Sequence, residues 1–426
     1  MAGRHIVMAT VGSQGDLFPF LAVGRELVAR GHRVTVAAHA IHREAVAAAG
    51  LAFLLASGIA EPEDKAAFAA RAFHPLRGPR FVVRDLAAAD VAASYAALAP
   101  VCAEADAIVT TTLAFAGQII GETGRLAWLS AVLSPAVFLS AWDPPATGYA
   151  RLDTFLRGSP RRGGWLGRLA RTVTAPWTRP VRDFRVSLGL PPVSPWGDPF
   201  HQGQHARDGV LAMYSPLLGE PPPDAPARTR ITGQCRYAPG GDRLAPELAA
   251  FLDAGDAPIV YTLGSAAVHA GASFLRESIE ASVALRRRAV LLTGSPEMRA
   301  RLPAALLEGV LVQEYAPHGA LFARAAAVVH HGGVGTTQEA LRAGRPQLVA
   351  PHGFDQPDNA ARVERLGVGR VLRASRYRAD RAAALLREVL GDDAVTRRAA
   401  DAARVIQRED GARIAADTIE AAMRER

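Results

Sequence analysis

A run of histidine, glycine and threonine, HHGGVGTTQE at positions 330–339, contains the residue types that bind phosphate readily. It follows an apolar stretch predicted to be a strand and opens a predicted helix. Glycines let the backbone turn tightly and approach a ligand, while amides at the positive end of the helix attract a diphosphate. The alternative is a plain helix start beside a buried histidine. Two adjacent histidines, three glycines and two threonines within eight positions favour the phosphate site.

Short apolar strands alternate with amphipathic helices along the chain, as in parallel βαβ units. The first unit has strands at 6–11 and 33–37 around a helix at 17–30, and two more units follow it at 44–55 and 107–132. Alternation restarts in the second half, with strands at 259–263, 289–292, 310–312, 327–330 and 347–350 and final helices at 397–408 and 411–424. The length of 426 residues suits two such domains.

Composition excludes several classes of protein. The chain is 49% hydrophobic and 21% charged, which excludes disorder. Its formal charge of +8 comes from scattered arginines without interleaved aromatic residues, so we expect no nucleic-acid partner. Cys102 and Cys235 lie far apart without metal-ligand spacing, which favours a reducing compartment. No signal peptide or spanning segment is evident; we expect a cytoplasmic protein with at most peripheral membrane contact and an oligomeric state that the sequence does not indicate.

Four segments together resemble family 1 nucleotide-sugar glycosyltransferases of the GT-B fold. In chain order they are GSQGDLFPF at 12–20, YAPH at 315–318, HHGGVGTTQE at 330–339 and FDQPDNA at 354–360. The resemblance covers nearly the whole chain. Residues 129–145 and the aspartate of the first loop are most similar to bacterial rhamnosyltransferases that glycosylate hydroxy-fatty acids. The resemblance implies an α/β protein with two Rossmann-like, doubly wound parallel-sheet domains facing a cleft.

The resemblance also implies roles for the residues of a donor site. His331 matches the histidine that contacts the donor diphosphate, and Tyr315 stands where an aromatic ring stacks on the nucleobase. Tyrosine in place of tryptophan leaves a uridine or thymidine base open. Glu339 matches the acidic residue that holds the ribose hydroxyls. The remaining matches are Gly333, Gly335 and Thr336 for the diphosphate, Gly264 and Ser265 completing its cradle, and Asp355 and Gln356 for the donor sugar.

Two of these assignments have structural alternatives. Gly264 and Ser265 also fit a plain turn from a strand into a helix. Asp355 also fits a capping residue before a polar helix start at Gln356.

In the first loop, Asp16 replaces the histidine that many family members carry as their base. An exposed aspartate is a weak base for an alcohol, so we expect Asp16 to be partly desolvated or to act late in the transition state. Its alternative role is the N-cap of the helix at Leu17, which Pro19 supports. The implied reaction is a single in-line displacement with inversion. The negative charge of the leaving nucleoside diphosphate is stabilised by His331, the loop amides and the helix dipole. We therefore expect neither a metal nor another cofactor beside the nucleotide sugar.

The expected function is transfer of a hexose or deoxyhexose, of rhamnose or glucose type, to a hydroxyl of a small apolar acceptor such as a hydroxy-lipid or polyketide. A sugar-nucleotide epimerase of the same fold and a non-catalytic auxiliary protein are the alternatives. A dinucleotide oxidoreductase is disfavoured because the first loop lacks GxGxxG spacing. A pyridoxal phosphate enzyme is disfavoured because Lys65, the only lysine, lies outside any strand-end loop.

We predict an N-terminal acceptor domain at 1–216, a linker at 217–240, a donor domain at 241–405 and a terminal segment at 406–426 that packs toward the N-terminal domain. The region 143–204 is rich in Pro, Gly, Arg and Trp. It fits helical fragments or long loops that form an acceptor lid, a purely structural excursion, or an interfacial membrane contact. With Phe73, Phe81 and Tyr95 it is the hypothesised acceptor pocket of the first domain.

Overall fold

The computed structural model describes residues 3–194, 197–264, 271–294, 296–300, 302 and 308–426. The chain divides into two compact units. The first unit contains the residues up to Glu63, Leu76–Tyr237 and Glu409–Arg426. The second unit contains Asp64–Pro75 and Ala238–Arg408.

Helices alternate with strands in both units, as the sequence pattern predicts. Within the described ranges the α-helices are α1 (Gln14–Ala29), α2 (Arg43–Ala48), α3 (Lys65–Ala72), α4 (Gly78–Arg80), α5 (Val91–Ala103), α6 (Phe115–Glu122), α7 (Ala150–Arg157), α8 (Pro160–Thr174), α9 (Arg179–Ser187), α10 (Pro246–Asp253), α11 (Ala272–Leu285), α12 (Pro296–Ala300), α13 (His318–Phe322), α14 (Val334–Arg342), α15 (Gln356–Arg365), α16 (Ala379–Gly391), α17 (Asp393–Ile406) and α18 (Gly411–Arg424). A π-helical turn at Phe81–Ala88 continues α4, and short 3₁₀ turns lie between several other elements.

The first unit is built on one parallel sheet with the order β3-β2-β1-β4-β5-β6-β7. Its strands are β1 (His5–Ala9), β2 (Arg33–Ala38), β3 (Ala52–Leu55), β4 (Ala107–Thr110), β5 (Ala127–Val132), β6 (Val210–Ala212) and β7 (Thr229–Ile231). The strands β1, β4 and β5 are buried along their whole length, since helices cover both faces of a parallel sheet. The strand order reverses between β1 and β4, which places a topological switch point at the loop that follows β1.

The second unit repeats this plan with the order β10-β9-β8-β11-β12-β13. Its strands are β8 (Ile259–Thr262), β9 (Ala289–Leu292), β10 (Val310–Gln313), β11 (Ala327–His330), β12 (Gln347–Val349) and β13 (Gly369–Val371), and all the pairs are parallel. The order reverses between β8 and β11. Ligands of doubly wound sheets bind outside the carboxyl ends of the strands at such a point. The predicted fold class, two Rossmann-like parallel-sheet domains, is confirmed.

The terminal helix α18 completes the core of the first unit. Ile419 is fully buried in the same apolar cluster as residues of α1. Arg30 donates to Asp417 (Nη1 to Oδ1, 2.7 Å), and His32 Nε2 lies 3.0 Å from Glu420 Oε1. A chain segment that follows the whole second unit thereby contributes to the core of the first.

Two chain segments differ from the predicted boundaries. Residues 217–237, predicted as part of a linker, belong to the first unit, because Thr229–Ile231 pairs with β6 and extends the sheet. Residues 64–75, predicted within the N-terminal domain, belong to the second unit. There the ring of Phe73 packs edge-on against Phe354 at 5.4 Å, so Phe73 does not belong to the unit in which the acceptor pocket was hypothesised.

The excursion at 143–204 contains α7, α8 and α9, with turns and irregular segments around them. Trp177 packs against the core of the first unit, whereas Trp142 and Trp165 are exposed. Of the helices that the structure describes, none is by itself long and apolar enough to cross a bilayer. The consecutive stretches Gly78–Ala88 and Val91–Ala103, bent by 48°, meet that length and composition only as a pair.

Candidate active site

Asp16 lies in the first turn of α1, directly after the switch-point strand β1. Its carboxylate accepts a hydrogen bond from the backbone amide of Ser13 (2.8 Å), and the Ser13 hydroxyl in return accepts from the Gly15 amide (3.2 Å). Ser13 is therefore the N-cap and Asp16 the third helical residue of a capping box. The alternative interpretation of Asp16 as the N-cap itself is wrong by three positions.

The backbone around this carboxylate requires a glycine. Gly12 has φ +144°, and a Cβ atom at that position would lie 2.1 Å from Asp16 Oδ2. His42 lies in the 3₁₀ turn before α2; its Nε2 is 3.0 Å from the Gly12 carbonyl oxygen and holds the same turn. No sequence pattern indicates this role of His42, because its contact with the loop joins residues thirty positions apart.

Burial raises the pKa of the Asp16 carboxyl to about 6, although the hydrogen bonds from Ser13 favour the ionised form. The side chain is only partly exposed to solvent. A carboxyl with this pKa is ionised at neutral pH and is a stronger base than an ordinary aspartate. This burial is the partial desolvation expected of Asp16 if it acts as the base.

The histidine pair of the phosphate motif divides into two different roles. His330, fully buried at the end of β11, accepts from the Gly332 amide at Nδ1 (3.1 Å), so its Nε2 donates to Gln347 Oε1 (2.9 Å). Both of its nitrogens are therefore used by the fold. Burial lowers its pKa to about 4, which keeps the ring neutral.

His331 is positioned by the fold but has an unused nitrogen. Its side chain is 8% exposed, and its Nδ1 has no hydrogen-bond partner among the atoms that the structure describes. A buried polar atom without a partner is costly and marks a place where a ligand atom is expected. Burial, followed by neighbouring His330, His352 and His318, lowers its pKa well below the usual value, so the ring is neutral.

The His331 imidazole fits in its position because two neighbouring residues are glycines without a side chain. Gly264, which follows β8 with φ +67°, would place a Cβ atom 2.5 Å from His331 Cε1. A Cβ atom at Gly333 would lie 2.4 Å from His331 Nε2. The predicted residues Gly264, His331 and Gly333 therefore lie together at the switch point between β8 and β11.

The N-terminus of α14 begins directly beside His331. Gly333 is its N-cap, and no side chain caps the first turn. A Cβ atom at Gly335 would meet no atom within 4 Å, so packing within the protein does not require a glycine there. An uncapped helix N-terminus next to an unused imidazole nitrogen can accept an anion. Thr336, in the same turn, is largely buried.

The loop after β12 is cross-braced to the phosphate motif. Asn359 Nδ2 donates to the Gly332 carbonyl (2.9 Å) and to Asp355 Oδ2 (2.8 Å). Gln356 is buried, and its Oε1 accepts from the amides of His352 (2.8 Å) and Gly353. The oxygen of Gln356 therefore shapes its own loop. Asn359 is a positioning residue that lies inside the recognised motif but was not assigned a role from sequence.

Asp355 occupies the N-cap position of α15, but its side chain makes no cap hydrogen bond, in contrast to the capping alternative. The carboxylate is instead oriented by Asn359. Phe354, with φ +58°, precedes it and is held by the edge-on contact with Phe73. Backbone strain of this kind occurs at sites where the surroundings fix a loop tightly.

The two predicted nucleoside residues are on the same unit as His331. Tyr315 follows β10 and is 52% exposed, so a planar ring could be covered by a base. Glu339 lies near the middle of α14 and is half-buried. Ser265, the other predicted cradle residue, lies outside the described residues. Asp16 belongs to the first unit and all the other predicted site residues belong to the second.

No group of three or more His, Cys, Asp or Glu side chains is arranged to hold a metal ion in the part of the chain that the structure describes.

Two family models match the chain. Residues 6–138 match the glycosyltransferase family 28 N-terminal domain, and residues 288–418 match the C-terminal domain of erythromycin biosynthesis protein CIII-like proteins. Each family model covers most of the strands of one of the two parallel sheets.

Curated proteins match along nearly the full length. An O-mycaminosyltylonolide 6-deoxyallosyltransferase of Streptomyces fradiae is 33% identical, over 98% of this chain and 97% of that protein. A vancomycin aglycone glucosyltransferase of Amycolatopsis orientalis is 30% identical over 86% of this chain and 85% of that protein. The crystal structure of the glycotransferase of kitacinnamycin superposes with a TM-score of 0.69 at 25% identity, and covers 99% of both chains.

Proposed function

This chain belongs to the family 1 nucleotide-sugar glycosyltransferases of the GT-B fold, and from that premise we propose which groups it binds and how it transfers the sugar. It is an enzyme of the hexosyltransferase type. The proposed reaction moves a hexose or deoxyhexose from a uridine or thymidine diphosphate sugar to a hydroxyl of an apolar natural product, with inversion at the anomeric carbon. The epimerase and auxiliary-protein alternatives are set aside, since the full-length relatives are named as glycosyltransferases.

One observation supports the donor site above all others. The unused nitrogen of His331 and the uncapped N-terminus of α14 lie together at the switch point of the second sheet. The helix end supplies a partial positive charge and amide donors, and a neutral imidazole supplies a directed hydrogen bond. This combination suits the diphosphate of the donor, with Gly264, Gly333, Gly335 and Thr336 lining it and Ser265 proposed beside them.

The other donor contacts follow from the resemblance and from exposure. We propose that Tyr315 stacks on the base and Glu339 accepts from the ribose hydroxyls. Asp355 and Gln356 are proposed for the donor sugar. The Asp355 carboxylate is oriented for that role by Asn359, whereas the oxygen of Gln356 is already used, so its amide nitrogen is the group proposed to reach the sugar.

In the proposed chemical step, the acceptor hydroxyl attacks the anomeric carbon as the bond to the diphosphate oxygen breaks. The hydroxyl proton passes to the Asp16 carboxylate, and the electron pair of the broken bond leaves with the nucleoside diphosphate. Hydrogen bonds from His331 and the α14 amides stabilise the charge that grows on the leaving oxygens. We propose that these groups suffice without a metal ion.

The acceptor class is proposed from the relatives. Those that match over most of this chain are named for O-mycaminosyltylonolide and vancomycin aglycone as the molecules they glycosylate. The 6-deoxyallosyl group in the first name supports a deoxyhexose donor. The more specific similarity to rhamnosyltransferases of hydroxy-fatty acids stays a prediction.

Stereochemistry tests the single-displacement step. We expect an α-linked nucleotide sugar to give a β-linked product, because one displacement inverts the anomeric centre. The purified enzyme is incubated with UDP-glucose and with dTDP-rhamnose and a set of macrolide, glycopeptide and hydroxy-fatty acid acceptors, and the anomeric coupling of each product is read by NMR. A product that retains the donor configuration would contradict the mechanism.

The pH dependence of kcat/KM tests the base. Since the ionised Asp16 carboxylate is the active form and its pKa is about 6, activity is expected to be full above pH 7 and to fall tenfold per pH unit below about 6. The control is Asp16→Asn, whose residual kcat/KM is expected not to follow this limb because it has no carboxyl group at position 16. A value of kcat/KM that stays constant from pH 8 to pH 4.5 would exclude a base with this pKa.

A further inference from the structure

Exposed apolar side chains are concentrated on the helical excursion of the first unit. The large apolar side chains exposed to solvent there are those of Trp142, Tyr149, Leu152, Phe155, Trp165, Leu169 and Val173. They occupy α7, α8 and the residues before α7. Contiguous apolar patches on a protein surface mark sites of interaction with another molecule or with a membrane.

On α8 these residues form a stripe. Trp165, Leu169 and Val173 follow one another at intervals of four and are 58%, 47% and 59% exposed. Gly163, on another side of the helix, is buried, and a Cβ atom there would lie 2.2 Å from the Ala141 carbonyl oxygen. The helix is therefore fixed to the unit on the side of Gly163 and presents its apolar stripe to solvent.

The stripe continues onto α7. The Arg162 guanidinium covers the Phe155 ring at 4.4 Å, and its Nη1 donates to the Phe155 carbonyl oxygen (3.2 Å). The exposed ring of Phe155 on α7 is thereby joined to the start of α8. The two helices also pack directly on one another. Together they make one surface, which we call the α7–α8 face.

Charge on α7 and α8 is mostly positive. Residues 150–174 contain six arginines and one acidic residue, Asp153. The Asp153 carboxylate is engaged locally, accepting from the amide and the hydroxyl of Thr147, both at 2.7 Å. Arg161, Arg162 and Arg168 are exposed beside the apolar stripe. An occupant of the face must therefore be both apolar and anionic.

We propose that the α7–α8 face binds an anionic lipid surface, with the apolar stripe at the level of the acyl boundary and the arginines on the headgroups. Tryptophan and arginine are the residues that favour this interface. A protein partner or a second copy of the chain would need an acidic, apolar face of its own. Lipid phosphates supply the complementary charge without that requirement, and this function goes beyond sugar transfer.

Vesicle co-sedimentation of the full chain tests this proposal. We expect binding to vesicles of phosphatidylcholine with 30% phosphatidylglycerol, little binding to phosphatidylcholine alone, and loss of binding as salt is raised. Arg161→Gln with Arg168→Gln is expected to lower the vesicle partition coefficient about fivefold for each arginine. The triple change Trp165→Ser, Leu169→Ser and Val173→Ser is expected to lower it at least tenfold, with affinity for UDP and dTDP unchanged because the proposed donor residues lie in the second unit.

Matched controls separate this face from general surface properties. Ile41→Ser, Val283→Ser and Val405→Ser remove three other exposed apolar side chains, and Arg381→Gln with Arg397→Gln removes two other exposed charges. We expect both controls to bind vesicles as the unchanged protein does. No binding by the unchanged protein, equal losses in the controls, or self-association that the triple change abolishes while vesicles are not bound would overturn the proposal.

Discussion

Replacing Asp16 with asparagine is expected to lower kcat/KM for sugar transfer by about a thousandfold, the scale of a lost general base. Asparagine has nearly the same shape, and its side-chain oxygen can still accept from the Ser13 amide, so the capping box and α1 are kept. What is lost is the ability to take the acceptor proton. Affinity for the nucleoside diphosphate is expected to stay within about twofold, because donor residues lie in the second unit.

The same variant has a stability signature that a structural role would not produce. A carboxyl whose pKa is raised on folding destabilises the fold while it is ionised, above about pH 6, and that cost disappears as pH falls toward the unfolded value. The Asp16→Asn protein is therefore expected to melt at the same or a higher temperature than the unchanged protein at pH 8. Asp64→Asn, which changes an aspartate at the start of α3, is the matched control and is expected to keep full activity. An active Asp16→Asn enzyme would refute the base assignment.

Replacing His331 with alanine is expected to weaken nucleoside diphosphate binding by ten- to a hundredfold, in line with the loss of a hydrogen bond to a charged group. The side chain is buried and its Nδ1 has no partner within the described structure, so its polar atom is available to the diphosphate. Transfer should fall further than binding, because charge on the diphosphate grows as the sugar leaves. Calorimetry and initial rates measure the two effects.

A donating replacement distinguishes this role from packing. His331→Gln keeps an N–H group in the same place and is expected to recover part of the affinity that His331→Ala loses. His205, whose Nδ1 also lacks a partner among the described atoms but which lies in the first unit, gives the control, and His205→Ala is expected to leave nucleotide affinity unchanged. Equal nucleotide affinity in the alanine variant of His331 and in the unchanged protein would remove His331 from the donor site.

Most of the fold can be predicted from local patterns of apolar residues in the sequence. Strands at 289–292 and 327–330 were predicted with the bounds that the structure has, because buried parallel strands are short apolar runs between helices. The three-residue strands β6, β7 and β13 were missed. Runs of that length have no detectable period, and their extended form depends on pairing with a neighbouring strand.

The site residues can be predicted from sequence where one short segment contains several of them. They are harder to predict where contacts join segments that are distant in sequence. The glycines, histidines and helix start of 330–339 are consecutive in sequence. The hydrogen bond from Asn359 to the Gly332 carbonyl and the packing of Phe73 on Phe354 join segments far apart in sequence and arise only from tertiary structure. Ser13 and Asp16 are both good caps, and only the backbone geometry assigns the N-cap to Ser13.

The most direct test of the donor site is calorimetric titration of the unchanged protein with UDP and with dTDP in the presence of a chelator. The account predicts micromolar, metal-independent binding of at least one of the two, and the tighter ligand identifies the base of the donor. Absence of binding by both nucleotides in the chelator would contradict the site at His331 and the N-terminus of α14.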